Sequence, residues 1–134
     1  MKLVTYLSNA TERTGVIVGD RIMDLERAHA ASKGVALQCS ALPAEMNAFL
    51  RLGQLALSDV RSLISWFSLA EASEQQGVSV PVEGTTLCAP VPHPTSMRDG
   101  YAFRQHVEAA RRNRGVDMIP EFDEIPIFYF TNHQ

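Results

Sequence analysis

The sequence predicts an α+β fold: a small antiparallel sheet with helices in an N-terminal domain, then the start of a second domain. Three observations predict it. Short β-rich runs at 2–7, 14–18 and 21–24 are joined by turn residues. Apolar positions then recur at helical spacing from Pro43 to about Ser73. Finally, prolines crowd into Pro90-Val91-Pro92-His93-Pro94, and the composition changes beyond them. The expected domains are 1–92 and 93–134.

Each element has a local reason. Gly19-Asp20 sits between Val16-Ile17-Val18 and Ile22-Met23, a two-residue hairpin signal that makes the first three strands a meander. Leu25 to Ser32 is Ala-rich and helix-prone, ending near Gly34. Pro43 suits a first helical turn, and Met46, Phe49, Leu50 and Leu57 follow on one face. Gly53 interrupts that run. Ser58-Asp59 offers a fresh N-cap, after which Val60, Leu63, Ile64 and Phe67 recur, so the zone reads as two helices or as one broken between Gly53 and Ser58. These residues, with Trp66, are assigned to the core. Gly77 to Val82 alternates at period two, and Pro81 makes it an edge strand or a linker. The three prolines at 90, 92 and 94 favour extended backbone that cannot pair fully in a sheet.

Composition narrows the function classes. A length of 134 residues is about one domain's worth of chain, and 46% hydrophobic with 20% charged residues fits a folded globular protein. A net charge of −3 argues against a nucleic-acid partner. No run approaches the roughly 18 to 20 apolar residues of a membrane span, so no membrane partner is expected. Met1 to Ser8 reads as a strand and lacks the apolar core of a secretion signal. Cys39 and Cys88 lie far apart without CxxC spacing, which favours reduced thiols and a cytoplasmic location.

From Met97 on, the residues look chemical. Asp99 is a good N-cap, Phe103, Val107 and Ala110 make an apolar stripe, and Gly115 is a helix terminator. On one helix Asp99 and His106, seven residues apart, turn through about 700° and project from one face. Periodicity alone favours a capping Asp99 and a half-buried His106, with Tyr101 at a rim and Arg104 and Gln105 solvated. Arg111, Arg112 and Arg114 fall near the expected C-terminus of this helix, where cations complement its dipole, so capping is favoured over phosphate binding. Ile125 to His133 reads as a β-rich strand.

The stretch Arg98-Asp99-Gly100-Tyr101-Ala102-Phe103-Arg104-Gln105-His106 resembles the first active-site motif of the fumarylacetoacetate hydrolase family: an aspartate, a tyrosine two residues on, then Arg-Gln-His. Ile119-Pro120 and Pro126-Ile127-Phe128-Tyr129 resemble the family's proline-containing segment ending in a substrate-facing tyrosine. Lys2 to Tyr6 and Gly15 to Asp20 resemble its small N-terminal domain. The Asp/Tyr/Arg-Gln-His motif is the specific part. The resemblance implies that residues 93–134 begin a mainly β catalytic domain with their first helix and strand. Asp99 would be a carboxylate ligand to Mg²⁺ or Ca²⁺, His106 the base that activates water, and Tyr101 and Tyr129 binders of substrate oxygens. An arginine after the histidine would also contact substrate; Arg112 is taken as that residue, with Arg111 and Arg114 as the other candidates.

The chemistry so implied is hydrolysis of a carbon–carbon bond in a diketo acid or acylpyruvate-type substrate, in a homodimer. Family members add a Glu-x-Glu pair and another aspartate several dozen residues further on. Glu121 to Glu124 is no substitute, because it lies before Tyr129. The expectation is therefore the front part of such an enzyme, inactive as this chain. A different class competes: a non-catalytic remnant or an interaction or dimerisation module acting through the aromatic strand at 125–131. A weaker third possibility is a small-molecule-binding domain made of residues 1–92 alone. Which substrate is taken, and whether family members' decarboxylase, isomerase or hydratase chemistry applies instead, does not follow from these residues.

Overall fold

The computed structural model describes residues 1–131 and is α+β. It forms two compact units, Met1–Pro92 and a second from His93 on.

The first unit opens with strands β1 (Leu3–Ser8), β2 (Thr11–Val18) and β3 (Arg21–Asp24), each antiparallel to the one before. The β2–β3 turn places Gly19 at φ 60°, as a two-residue hairpin requires at its first central position. The β1–β2 turn does the same with Asn9 at 50° and Ala10 at 60°, and Ala10 has a Cβ that resists this region. Helix α1 (Leu25–Ala31) follows at once, capped by Asp24, whose carboxylate accepts from the Arg27 N–H at 2.9 Å.

The middle of the unit departs from the sequence reading in three places. Helix α2 (Met46–Arg51) starts after Pro43, with Glu45 as its cap, accepting from the N–H groups of Asn47 and Ala48. Helix α3 (Gly53–Leu69) begins six residues before the Asp59 expected to cap it. Gly53 at φ 62° makes the break after α2, and a side chain there would be strained. Asp59 instead points inward from mid-helix, where its two oxygens accept from the N–H groups of Gln38 and Cys39, each at 2.8 Å. The third departure is helix α4 (Ala72–Val78), where the start of an alternating strand was expected. Glu71 and Glu74 form a capping box, and the Gln75 amide donates to the carbonyls of Phe67 and Ala70. Only β4 (Ser79–Pro81) remains strand, paired with β3 at the sheet edge, where Pro81 is tolerated.

Val16 and Met23 of the sheet meet Leu25 and Ala28 of α1, Phe49 of α2, and Ala56, Val60, Leu63 and Phe67 of α3 in one core. On α3 these positions recur at three- and four-residue steps, which is why that helix is long without an exposed apolar stripe. Gly15 is required by close packing: a Cβ there would lie 2.5 Å from Ile22 Cγ2 and 3.2 Å from Tyr6 Cε1.

The proline-rich stretch is partly paired. The Leu7 N–H donates to the Thr86 carbonyl and the Cys88 N–H to the Thr5 carbonyl, with one bridge between Tyr6 and Leu87. The Thr5 hydroxyl donates to the Pro90 carbonyl at 2.8 Å, and Val91 packs on the core. Residues 86–91 thus strap the free edge of β1.

In the second unit, strand β5 (Met97–Gly100) pairs antiparallel with β6 (Phe128–Thr131), and between them lie α5 (Arg104–Asn113) and a 3₁₀ turn (Pro120–Phe122). The order is strand, helix, strand. The strand expected at 125–131 is confined to its last four described residues; Asn132 and His133, in the same expected run, lie outside the described residues.

Candidate functional site

The site residues named from the sequence lie in the second unit, and its two-stranded ribbon organises them. The register sets Asp99 opposite Tyr129, Arg98 opposite Phe130 and Gly100 opposite Phe128. Cross-strand partners share a face, as do residues two apart on one strand. Asp99, Tyr101 and Tyr129 therefore lie on one face, and Arg98, Phe128 and Phe130 on the other. The contacts agree. Tyr101 meets Tyr129 edge-on with ring centroids 6.2 Å apart, and meets Phe122 in the same way at 6.2 Å. On the opposite face the Arg98 guanidinium lies 4.0 Å from the Phe130 ring centre, and Phe128 packs edge-on against Phe130 at 5.4 Å. The Tyr101 N–H donates to the Ile127 carbonyl at 3.0 Å, which carries the pairing one residue past β5.

This arrangement corrects the helical placement of Asp99. It caps no helix and shares none with His106; it is a strand residue, exposed like the rest of β5. His106 stands on the exposed side of the first turn of α5, whose N-cap is Phe103. The apolar stripe reduces to Val107, which is buried, while Phe103 is 77% exposed.

The arginines divide by their bonds. Arg111 donates to the Asp117 carbonyl and Arg114 to the Ala110 carbonyl at 3.2 Å, so both serve the end of their own helix. Gly115 at φ 70° closes that helix, its N–H donating to the Arg112 carbonyl. Arg112 makes no side-chain hydrogen bond among the described residues. With Arg111, Glu108, Val116 and Met118 it lines a hollow of about 380 Å³ at the far end of α5, separate from the hollow beside Tyr101. The ribbon thus gathers Asp99, Tyr101 and Tyr129, and Arg112 is not among them.

Arg104 has a role the sequence did not suggest. It bonds to Asp123 and reaches Glu108 at 3.0 Å, tying the first turn of α5 to the loop that carries Phe122. Separations of four and nineteen residues explain the omission, since only the first is a helical spacing.

Mg²⁺ and Ca²⁺ prefer six or more oxygen ligands. Among the described residues, no group of three or more His, Cys, Asp or Glu side chains is placed to hold a metal. Asp99 by itself does not fit such an ion.

The first unit holds two buried carboxylates, both already occupied. Asp24 accepts from the Tyr6 hydroxyl at 2.6 Å, from Arg13 through two nitrogens, and from the Arg27 N–H. Burial alone would raise its pKa, but the bonds from Arg13, Tyr6 and Arg27 outweigh that and hold it below the ordinary 3.8. The same burial and the Asp24 carboxylate push the Tyr6 phenol upward. Asp59 is also buried yet held low, by the Gln38 and Cys39 amides and the Cys39 thiol, and its charge in turn adds to burial in raising that thiol. A raised thiol is a poor nucleophile, so the neighbouring His29, whose Nε2 lies 2.9 Å from the Cys39 carbonyl oxygen, completes an anchor and not a catalytic pair.

No helix among the described residues is long and apolar enough to cross a membrane. Compared with known proteins, the chain matches no protein-family model, and no curated protein matches it.

Proposed function

We propose that the second unit carries the substrate-recognition ribbon of a fumarylacetoacetate hydrolase-like enzyme, one that hydrolyses a carbon–carbon bond in a diketo acid or acylpyruvate-type substrate. The observation that carries this reading is the shared face of Asp99, Tyr101 and Tyr129, with the two phenol rings in edge contact. The spacing of the Asp/Tyr/Arg-Gln-His motif adds to it. Two phenols on one face carry two hydroxyl donors, the groups that a carboxylate or a 1,3-dicarbonyl accepts from. His106 is the proton acceptor for water; a positioned base of this kind contributes roughly two to four orders of magnitude in rate. Arg112, which lines the hollow at the far end of α5, is left out of this reading. Mg²⁺ or Ca²⁺ enters the reading only with further carboxylates beside Asp99.

The test is an NMR titration of the full chain with acetylpyruvate. The Tyr101 and Tyr129 ring signals are expected to shift together, and Tyr101→Phe to weaken binding about tenfold by removing one hydrogen bond to a charged or strongly polar oxygen. Acid that leaves both rings unmoved refutes the reading.

A second reading rests on the other face of the ribbon. Phe130 is 76% and Phe128 42% exposed, on a strand pair that leaves backbone edges open. An interaction or homodimerisation module would use that face. Light scattering decides: Phe128→Lys should abolish concentration-dependent association, and a monomer at all concentrations removes this alternative.

A further inference from the structure

The Tyr101 phenol is bordered by two rings, Tyr129 at 6.2 Å on strand β6 and Phe122 at 6.2 Å on the 3₁₀ turn. The ribbon fixes the first, through the Asp99–Tyr129 register and the Tyr101 N–H bond to the Ile127 carbonyl. Nothing in the turn itself fixes the second. Its backbone bonds, from the N–H of Phe122 to the Ile119 carbonyl, of Asp123 to Pro120, and of Glu124 and Ile125 to Glu121, all close within residues 119–125. A single 3₁₀ turn is too short to hold its own place. A hollow of about 270 Å³ opens where the turn meets the strands, lined among others by Tyr101, Phe122, Ile125 and Phe128, so apolar packing does not clamp it either. What reaches the turn from another element is Arg104, which bonds both carboxylate oxygens of Asp123. Among the described residues, Asp123 is the one member of 119–125 with a side-chain hydrogen bond or ion pair.

We infer that Arg104 is a positioning residue of the candidate site: its bridge to Asp123 latches the turn beside Tyr101, so that the Phe122 ring holds the phenol on the face it shares with Asp99 and Tyr129. The inference deepens the site reading above and rests on it for what the phenol meets. Arg104 is the first residue of α5, three residues after Tyr101, and Val107 buries that end of the helix. Glu108, one helical turn on, steadies the guanidinium through Nε at 3.0 Å and leaves Nη1 for Asp123. The bridge is exposed, so it shifts a local equilibrium by no more than about fivefold and adds little to global stability. That is enough to set how often the turn is docked, and too little to hold the fold.

The experiment is NMR of the full chain, reading the Tyr101 ring signals and the nuclear Overhauser contact between the Tyr101 and Phe122 rings. Arg104→Gln and Asp123→Asn should each weaken that contact and move the Tyr101 signals in the same direction, and the double variant should go no further than either. Salt at about 1 M should move the unaltered chain the same way, since the screening length falls to about 3 Å. The Tyr129 amide, held by the ribbon, should stay in place. Arg104→Lys keeps the charge but not the fork and should restore part of the contact. Gln, Lys and Arg are similar helix formers, so loss of α5 does not account for these shifts. In an acetylpyruvate titration, Arg104→Gln and Asp123→Asn should bind about two- to fivefold more weakly than the parent. A Tyr101 ring unmoved in both variants, or an unchanged affinity beside a shifted ring, overturns the inference. A parent that does not bind the acid overturns the site reading alone, and the ring signals then decide the bridge by themselves.

Discussion

Replacing Asp24 by alanine should remove a large part of the first unit's stability. The carboxylate is 1% exposed and is reached by Tyr6, by Arg13 and by the Arg27 N–H. Its loss leaves the Tyr6 hydroxyl, on a residue with no exposure, without its acceptor, a cost of about 1–3 kcal/mol. Losing the cap of α1 adds about 1 kcal/mol. Arg13 retains Glu26 at 2.8 Å and is partly exposed, which limits its share. The expected total is about 2–4 kcal/mol, reaching into the range for breaking a buried charged pair by removing one partner. At about 4 °C or more per kcal/mol for a unit this size, the melting temperature should fall by about 8 °C or more. Urea unfolding followed by circular dichroism measures this directly. Tyr6→Phe supplies a double-mutant cycle: it should cost about 1 kcal/mol in the parent and recover about 1–3 kcal/mol in the Asp24→Ala background, where it removes the stranded hydroxyl. Acid gives an independent reading. Because the folded pKa of Asp24 lies below its ordinary 3.8, its contribution is complete above that value and is lost as pH falls through the folded pKa. The parent should therefore lose stability below about pH 4, and Asp24→Asn should lose less over that interval. A loss under about 1 kcal/mol in Asp24→Ala, or a zero coupling with Tyr6, would refute the argument and mean that water replaces the carboxylate.

Three further outcomes follow from the same unit. Gly15→Ala forces a methyl to 2.5 Å from Ile22 Cγ2 and 3.1 Å from the Met23 carbonyl oxygen, and should cost about 1–3 kcal/mol by urea titration. Ala10→Gly relieves a left-handed backbone worth about 1–2 kcal/mol and loosens the unfolded chain by about half that; thermal melts should show a net gain of about 0.5–1 kcal/mol. Asp59→Ala frees the Gln38 and Cys39 amides, whose hydrogen exchange should accelerate more than that of the sheet amides of β2 and β3.

What was legible in the sequence was what is local. Alternation and the Gly19-Asp20 turn gave the meander, and Pro81 marked an edge that proved to be one. Asp59 misled because a Ser-Asp pair before an apolar run looks the same whether it caps a helix or faces inward from its middle. The difference lies in amides twenty residues away, at Gln38 and Cys39. Helix α4 was hidden because Gly77 and the valines around it suit a strand, whereas the capping box uses Glu71, an uncommon residue at that position. At the candidate site, the sequence did not show the backbone. Asp99 has good capping chemistry, yet its stretch pairs with residues about thirty positions on, a contact no periodicity carries.

The strap formed by residues 86–91 bears on where the first unit can be cut. Those residues satisfy the outer backbone groups of Thr5 and Leu7 and seat Val91 on the core. A boundary drawn at the turn after β4, near Gly84, would look natural from the helices and strands alone. It would also strip β1 and leave an uncovered strand edge, an open template for another chain. Expression of the unit by itself therefore calls for keeping the chain through Pro92.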